Sequence, residues 1–314
     1  MNRSSEYEWH WQSPGLAEWR YGMENAGTYP QVAFKNILFA TDFSSTVQLA
    51  LPYAVEIARR SAATVHVVHV VQPDIYPLVP PSRWPKMAQE EEEFRQESKR
   101  QLEEELQGLP HEFHFPAGNV WQNLARVIED KNIDLVVLGT HGRTGVEKVL
   151  VGSVAEEIFR QAACPVLTVG PAVSSKASHA AAAELNCILY ATDFSPESLT
   201  AAPYAISLAK EHHAELILMH SIQNAEPEQV NSAFQTLRDV VPLGAGLGSN
   251  PRCIVERGRP ADTIPGVATR QNVDMIVLGV RSTRGHLTGA THVGRSIAYK
   301  VVTQAACPVL TVRG

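Results

Sequence analysis

The sequence predicts an α/β protein made of two tandem, doubly wound domains. Short apolar runs rich in β-branched residues alternate with longer helical patterns, and this alternation passes along the chain twice. The segment AACPVLTV occurs at 162–169 and again at 305–312, and ATDFS at 40–44 recurs at 191–195. A chain of 314 residues is also about twice the size of a typical domain, so each copy is long enough to bury a core of its own.

Five segments of the first copy are apolar almost throughout, which is typical of strands buried on both faces of a parallel sheet. These predicted strands are residues 36–41, 64–71, 112–116, 133–139 and 166–169. Helical patterns lie between them, at residues 45–60, 86–109, 120–131 and 154–162. The second of these helices is highly charged, and its charges are expected to form a solvated face. This alternation predicts a parallel sheet with right-handed crossovers.

The second copy repeats the pattern, and the flanking segments set the expected domain boundaries. Its predicted strands are residues 187–192, 214–222, 253–256, 273–279 and 309–312. We expect a first domain over 34–171, an Ala- and Ser-rich linker over 172–184 and a second domain over 185–314. Residues 1–33 form a Trp-rich N-terminal extension, interpreted either as a poorly ordered, flexible tail or as an aromatic arm that docks on a domain face or a partner.

The composition excludes several classes of protein. The chain carries 33 acidic and 27 basic residues, for a net charge of −6, so it lacks the net positive charge that favours binding to nucleic acid. No apolar run approaches the roughly 20 residues that a membrane-spanning helix needs. Four cysteines in a chain of this length do not make a disulfide framework, and Cys164 and Cys307 lie in strand-like contexts. We therefore expect a cytoplasmic protein.

A stretch of spaced glycines after the fourth strand carries the first chemical signal. Gly139 ends the strand, and nine residues separate Gly142 from Gly152, where Gly152 and Ser153 open a helix. Glycine lets a backbone approach a ligand closely, and a helix N-terminus presents unpaired N–H groups, so the combination favours phosphate binding. Neither a Walker loop nor a dinucleotide fingerprint is present. Ser153 with Glu156 also fits a capping box, which needs no ligand.

Asp42, directly after the first strand, carries the second signal, and Asp193 is its counterpart in the second copy. One interpretation is a turn residue that bonds its own backbone. The other is a ligand contact, because ligands of open α/β sheets lie outside the carboxyl ends of strands where the strand order reverses. If strands one and four are neighbours, the Asp42 carboxylate can accept hydrogen bonds from sugar hydroxyls or an amine while the glycine loop holds phosphates.

These motifs resemble the universal stress protein family, and more narrowly its ATP-binding branch in tandem form. The resemblance rests on ATDFS after the first strand, on His69-Val70-Val71 at the end of the second and on the spacing G-x2-G-x9-G-S after the fourth. It covers both copies and leaves out the first 33 residues. It implies a five-stranded parallel sheet in the order 3-2-1-4-5 in each domain, and ATP as the ligand, with or without Mg²⁺.

The resemblance also implies roles for individual residues. It assigns adenine to Asp42 and the backbone near Val71, and the wall of the adenosine site to Ala40 and Thr41. Arg143 is a further partner for phosphate. The residues implied for ribose and phosphates are Leu138, Gly139, Gly142, Gly152, Ser153 and Val154.

The second copy departs from this pattern. Alignment places Arg295 and Ser296 at the positions of the glycine–serine pair, and Tyr299 replaces Glu156, so the capping box is expected to be lost. Arg295 brings a long side chain where the first copy offers bare backbone. We therefore expect the first copy to bind nucleotide and the second to bind it weakly or not at all. The contrary interpretation is that Arg295 pairs with phosphate in a second site formed by Asp193, Gly279, Arg295 and Ser296.

No metal site and no catalytic nucleophile are expected. His66 and His69 lie three apart in a strand, so their side chains face opposite ways and cannot share a metal. His111, His114, His212 and His213 are expected at the edges of elements. No motif pairs a nucleophile with an activating base.

The leading hypothesis is therefore an ATP-binding protein that acts in stress response or regulation, as the resemblance implies, with at most slow ATP hydrolysis. The alternatives are an enzyme that cleaves ATP or adenylates a substrate on a related fold, and a tandem scaffold for a protein partner. The two copies are expected to pack as a pseudo-twofold pair through their AACPVLTV strands, because a bare apolar edge needs covering. Association of two chains into a homodimer is a further expectation.

Overall fold

A computed structural model describes residues 31–71, 80–140, 153–173, 183–242, 244–281 and 296–314. The first repeat contains β1 (Asn36–Ala40), α1 (Ser45–Gln48), α2 (Leu51–Ser61), β2 (Thr64–Val68), α3 (Trp84–Glu105), β3 (His111–His114), α4 (Val120–Asp130), β4 (Leu135–Gly139), α5 (Ser153–Gln161) and β5 (Val166–Val169). The second contains β6 (Cys187–Ala191), α6 (Pro196–Leu199), α7 (Ala202–His212), β7 (Glu215–Ile222), α8 (Pro227–Val240), β8 (Arg252–Arg257), α9 (Pro260–Arg270), β9 (Met275–Val280), α10 (Ile297–Gln304) and β10 (Val309–Arg313).

Every strand that the sequence predicts is present, with ends shifted by a few residues. The helix predicted over residues 45–60 is wrong, because the structure divides this segment into α1 and α2. Pro52 lies in the first turn of α2 and has no N–H with which to continue the hydrogen bonds of α1, so a new helix starts there. Pro203 occupies the same place in α7.

The ten described strands form one sheet in the order β3-β2-β1-β4-β5-β10-β9-β6-β7-β8. Each repeat contributes five parallel strands in the order 3-2-1-4-5, which confirms that prediction. The chain order reverses between β1 and β4, and again between β6 and β9. In open α/β sheets this reversal is where ligand crevices form.

The two repeats join through their last strands, β5 and β10, which pair antiparallel. Residues 166–168 and 309–311 are equivalent in the repeat, so this register relates the two strands by a local twofold axis centred on the pair Leu167 and Leu310. The expected packing through the AACPVLTV strands is therefore confirmed, and it covers the apolar edge of each repeat. The homodimer stays a prediction. The paired residues are Val166 with Thr311, Leu167 with Leu310 and Thr168 with Val309.

Helices cover both faces of the sheet. One apolar cluster packs α2, α7 and α8 against one face, and a second packs α4, α5, α9 and α10 against the other. Each cluster contains residues of both repeats, so the core continues across the junction of β5 and β10. Strands sandwiched in this way need apolar residues on both sides, which explains their nearly continuous hydrophobic sequence.

The longest described helix, α3, has the solvated face expected from its sequence. Ser98 and Leu102 are its buried residues, while Lys99 and Glu103 form an ion pair four residues apart at 3.4 Å. In the part of the chain that the structure describes, no helix combines the length and apolarity required to traverse a lipid bilayer.

Candidate functional site

The candidate site lies at the carboxyl ends of β1 and β4, which are neighbouring parallel strands. Phe39 of β1 is in register with Val137 of β4, so the two strands end at the same edge of the sheet. Asp42 follows β1 by two residues, and Gly139 is the last residue of β4. The structure therefore brings Asp42 and Gly139 to the same edge, at the point where the strand order reverses.

Asp42 lies in a tight turn that its own side chain stabilises. Thr41 Oγ1 accepts a hydrogen bond from the N–H of Phe43 (2.9 Å), and Asp42 Oδ1 accepts one from the N–H of Ser44 (2.9 Å). These bonds hold Phe43 at φ 61°, in the left-handed region that non-glycine residues rarely adopt. The interpretation of Asp42 as a turn residue is thus confirmed. This role in the turn does not exclude a ligand contact, because an ionised carboxylate has about four acceptor sites.

The second repeat builds the same turn. Thr192 Oγ1 accepts a hydrogen bond from the N–H of Phe194 (2.9 Å), and Asp193 Oδ1 accepts from both the N–H (3.0 Å) and the hydroxyl (2.5 Å) of Ser195. Burial by itself would raise the pKa of Asp193, but the hydrogen bonds from Ser195 to the carboxylate outweigh it and lower the pKa. A negative charge is therefore stable at this edge of the second repeat.

A histidine supports each turn, and the sequence analysis did not identify this role. His69 Nδ1 lies 2.9 Å from the Thr41 carbonyl oxygen, and the rings of His69 and Phe43 are 4.5 Å apart between centroids. His220 repeats both contacts in the second repeat, at 2.9 Å and 4.6 Å. A carbonyl accepts only, so each Nδ1 carries a proton. The available signal was spacing, since each histidine follows the threonine of its turn by 28 residues.

The backbone of Val71 takes part in an extension of the sheet. Its N–H donates to the Pro116 carbonyl (2.9 Å), its carbonyl accepts from the N–H of Gly118 (3.0 Å), and Val71 forms an isolated bridge with Ala117. The N–H of Val71 is thus engaged, whereas a carbonyl oxygen with two lone pairs can accept a second hydrogen bond. Any contact of Val71 with adenine would have to use the carbonyl.

The phosphate side of the crevice is described in part. Gly142, Arg143 and Gly152 lie outside the described residues, and α5 begins at Ser153, close to the predicted start. Leu138 is buried in the core, and Ala40 and Val154 pack against the same cluster while partly exposed. In the described structure these three residues contribute apolar packing beside the predicted site, not polar groups.

Two predicted residues of the second repeat have structural explanations. A Cβ at Gly279 would lie 2.3 Å from the carbonyl oxygen of Glu197, because α6 packs directly over the end of β9. Packing alone therefore requires glycine at this position. Ser296 caps α10, where its Oγ accepts a hydrogen bond from the N–H of Tyr299 (3.1 Å). The capping box is lost as expected, since Tyr299 has no carboxylate to return a hydrogen bond, and the simple cap from Ser296 remains. Arg295 lies outside the described residues.

Open space is present at the corresponding edge of the second repeat. A cleft of about 320 Å³ lies at the carboxyl end of β7, between His220, Ile222 and the N-terminal ends of α8 and α9. Ile222 is the counterpart of Val71, since the N–H of Gly258 donates to its carbonyl (3.0 Å) just as Gly118 does in the first repeat. The volume is at the lower end of the range for small-molecule sites.

Fold and site together define a tandem of doubly wound α/β domains, each with a point where the strand order reverses. The family model of the universal stress protein family matches residues 33–170 and again residues 185–313. These two matches span most of the chain, and the chain belongs to the universal stress protein family.

Relatives of this family match one half of the chain at a time. Universal stress protein MJ0531 of Methanocaldococcus jannaschii is 33% identical over 141 residues, which are 43% of this chain and 82% of the relative. Universal stress protein MJ0577 of the same organism is 28% identical over 157 residues, covering 44% of this chain and 96% of the relative. A solved universal stress protein from Archaeoglobus fulgidus resembles the whole tandem fold, with a TM-score of 0.67, 22% identity and coverage of 88% of this chain and 98% of that one.

Proposed function

We propose that the first repeat binds ATP at the carboxyl ends of β1 and β4, and that the protein acts as a nucleotide-responsive regulator in stress response. The observation that carries this proposal is the placement of Asp42 and Gly139 at one edge of the sheet, where the strand order reverses. Ligands of open α/β sheets bind at this point of the topology.

The adenosine end of the ligand belongs beside the Asp42 turn. The carboxylate of Asp42 keeps acceptor capacity beyond its bond to Ser44, and the Val71 carbonyl has a second lone pair. An adenine amine or a ribose hydroxyl is a donor that suits both groups. Ala40 and Thr41 provide the adjoining wall.

The phosphate end belongs to the glycine loop and the start of α5. Gly142 and Gly152 permit close approach of the backbone, and the first N–H groups of α5, from Ser153 onward, favour an anion. Arg143 adds a fixed positive charge. Mg²⁺ would accompany the phosphates as part of the ligand.

Binding with little turnover fits the residues better than rapid catalysis. Phosphoryl transfer at enzymatic rates needs a positioned metal, a base or oriented water and a cation at the transferred group. The described part of the site supplies a carboxylate already engaged in a turn and a histidine already bonded to a carbonyl. Turnover above about 1 per second would favour the alternative of an ATP-cleaving or adenylating enzyme.

The two repeats offer a matched pair of variants for testing this proposal. In Asp42→Asn the amide oxygen can still accept from Ser44, so the turn is retained, but an N–H₂ group replaces a carboxylate oxygen and repels an adenine amine. Asp193→Asn makes the same change in the equivalent turn. By calorimetric titration with ATP we expect one site per chain, weakened about tenfold or more by Asp42→Asn and little changed by Asp193→Asn.

Three outcomes would contradict the proposal. Wild-type protein that releases no heat with ATP and carries no nucleotide after purification would remove the site. Equal, tight binding in both repeats would contradict the asymmetry between them. ATP affinity that survives both Asp42→Asn and Gly142→Val would place the nucleotide elsewhere and favour the alternative of a scaffold.

A reducing, cytoplasmic setting is part of the proposal. All four cysteines lie in described segments and are free thiols. Burial raises the pKa of Cys164 and Cys187 to about 11 and that of Cys307 to about 12, so these thiols stay protonated and unreactive. Such thiols serve as core residues rather than as a redox device.

A further inference from the structure

A second cluster of polar side chains lies on the sheet of the first repeat, away from the turns that form the nucleotide crevice. His66 of β2 is in register with Glu112 of β3, and His114 follows two residues later on the same strand. Residues two apart on a strand point to the same face, so all three side chains meet. This grouping was missed because His66 and His114 are 48 residues apart and only strand pairing joins them.

The three potential ligand atoms form a nearly regular triangle. His66 Nδ1 lies 3.2 Å from His114 Nε2 and 3.6 Å from Glu112 Oε2, and His114 Nε2 lies 3.7 Å from the same oxygen. Ligand atoms around a tetrahedral zinc ion with bonds of about 2.0–2.1 Å are separated by about 3.3 Å. A divalent ion can therefore bond to all three atoms with small side-chain movements.

The surroundings of the two rings are compatible with ligation. His66 Nδ1 and His114 Nε2 lie within hydrogen-bond distance, so one of these nitrogens carries a proton in the metal-free protein. A metal ion would replace that proton, which can move to the other nitrogen of the same ring. Asn36 Oδ1 lies 3.4 Å from His66 Nε2 and can accept a hydrogen bond from it, which leaves the Nδ1 lone pair facing the cluster.

The partial exposure of this cluster gives a metal ion access from solvent. The side chain of His66 is 4% exposed, that of His114 20% and that of Glu112 49%. An ion can enter from the Glu112 side, where a water molecule can also complete its coordination. Two described contacts compete with an ion: the hydrogen bond between the two imidazoles, and Lys131, whose Nζ lies 2.7 Å from the same Oε2 atom.

The second repeat shows that the fold does not require these polar groups. The register of β7 with β8 places Ile217 and Arg252 at the positions of His66 and Glu112, and Ile254 at the position of His114. The two histidine positions are thus filled by isoleucine in an otherwise equivalent sheet. Placing imidazoles where apolar side chains fit is unfavourable unless their nitrogens are hydrogen-bonded or bind a ligand.

We propose that His66, Glu112 and His114 form a zinc site with a fourth position open to water. The ion would tie the edge strand β3 to β2 through side chains in addition to the backbone ladder. It is distinct from any Mg²⁺ that accompanies ATP, because its ligands include two imidazole nitrogens, which Zn²⁺ accepts and Mg²⁺ does not favour.

The test is titration of Zn²⁺ into untagged, chelator-treated full-length protein. We expect one equivalent with a Kd at or below about 1 μM. His66→Ile with His114→Ile introduces the residues of the second repeat, so this double variant should fold, as checked by circular dichroism and urea unfolding. It should bind zinc at least about 100-fold more weakly, and Glu112→Gln about tenfold more weakly.

Two further variants sharpen the result. His213→Asn removes an exposed imidazole at a left-handed position that asparagine tolerates, and it should bind zinc like wild type. Lys131→Gln, which introduces the residue of the second repeat, should tighten binding severalfold by removing the competing ammonium group. Cobalt(II) bound to wild type should give the intense visible absorption of a four-coordinate ion.

The proposal would be overturned by a folded wild-type protein that takes up no zinc. It would equally be overturned if the folded double isoleucine variant kept wild-type affinity, because the ion would then bind to other histidines of the chain. A weak cobalt spectrum of the six-coordinate type would contradict the tetrahedral geometry. An unchanged affinity of Lys131→Gln for zinc would contradict the inference that Lys131 and the ion compete for Glu112 Oε2.

Discussion

His212, at the end of α7, is expected to make folding stability sensitive to acid. Its side chain is 7% exposed, and in the described part of the molecule its Nε2 has no hydrogen-bond partner. Burial, together with the charge of Arg60 on α2 and a smaller effect of His213, lowers the pKa of His212 from 6.5 to about 4, against an opposing effect of Glu56. The folded protein therefore holds this imidazole neutral at a pH where the unfolded chain protonates it.

The sign and size of the effect follow from proton linkage. Because the unfolded state binds the proton first, stability is fully present above about pH 7 and is lost as the pH falls from 6.5 towards 4. A shift of this size is worth about 3 kcal/mol once complete, of which about 2.5 kcal/mol is lost by pH 4.5. That is a large fraction of the stability of an ordinary domain.

The variant that tests this effect is His212→Ser, which introduces the residue of the first repeat. Ser61 at the equivalent position donates its hydroxyl to the Ile57 carbonyl (2.8 Å), and a serine in α7 can make the same bond to Leu208. Urea unfolding at pH 7 and pH 4.5 measures the loss of stability on acidification. We expect the loss to be about 2–3 kcal/mol smaller in His212→Ser than in wild type, with His213→Asn behaving like wild type. Equal losses in wild type and His212→Ser would refute the reasoning.

Two further substitutions test the packing. A Cβ at Gly170 would lie 2.2 Å from the Val302 carbonyl oxygen across the junction of the repeats, so Gly170→Ala should lower the free energy of unfolding by about 1–3 kcal/mol. Gly248→Ala is the control: its Cβ would meet nothing within 4 Å, so this change should not lower the free energy of unfolding. Tyr190→Phe removes a buried hydrogen bond to the Ser198 carbonyl (2.8 Å) and should cost about 1 kcal/mol in the same urea assay. A Gly170→Ala protein as stable as wild type, or a Tyr190→Phe protein with an unchanged midpoint of urea unfolding, would contradict the packing described.

The fold was predictable because its strands carry redundant signals. The central strands are apolar on both faces, the edge strands β3 and β8 being the exceptions, and the duplication shows the pattern twice, so even β10 could be identified by its match to β5. The break between α1 and α2 was missed because the apolar pattern continues across it, although Pro52 was visible in the sequence. Local chemistry at one residue decided that boundary, whereas periodicity decided the elements themselves.

The site was predictable only where neighbouring residues in sequence form it. The Asp42 turn is local, and its hydrogen bonds join residues two apart. The support from His69 and the contact of His66 with His114 join residues on different strands, and they depend on a register that sequence alone does not specify. The engagement of the Val71 N–H likewise comes from an extension of the sheet beyond β3.

The differences between the two repeats indicate where each one carries its own chemistry. The Thr-Asp-Phe-Ser turn keeps the same backbone hydrogen bonds and the same histidine contact of 2.9 Å in both repeats, and the second adds a hydroxyl bond from Ser195 to Asp193. We therefore expect an unequal affinity for nucleotide to come mainly from the segments that follow β4 and β9. Conversely, the layer of His66 and His114 is apolar in the second repeat, although the surrounding strands pair alike. A metal bound there would belong to the first repeat alone, so exchanging that layer between repeats should move the zinc site without moving the nucleotide.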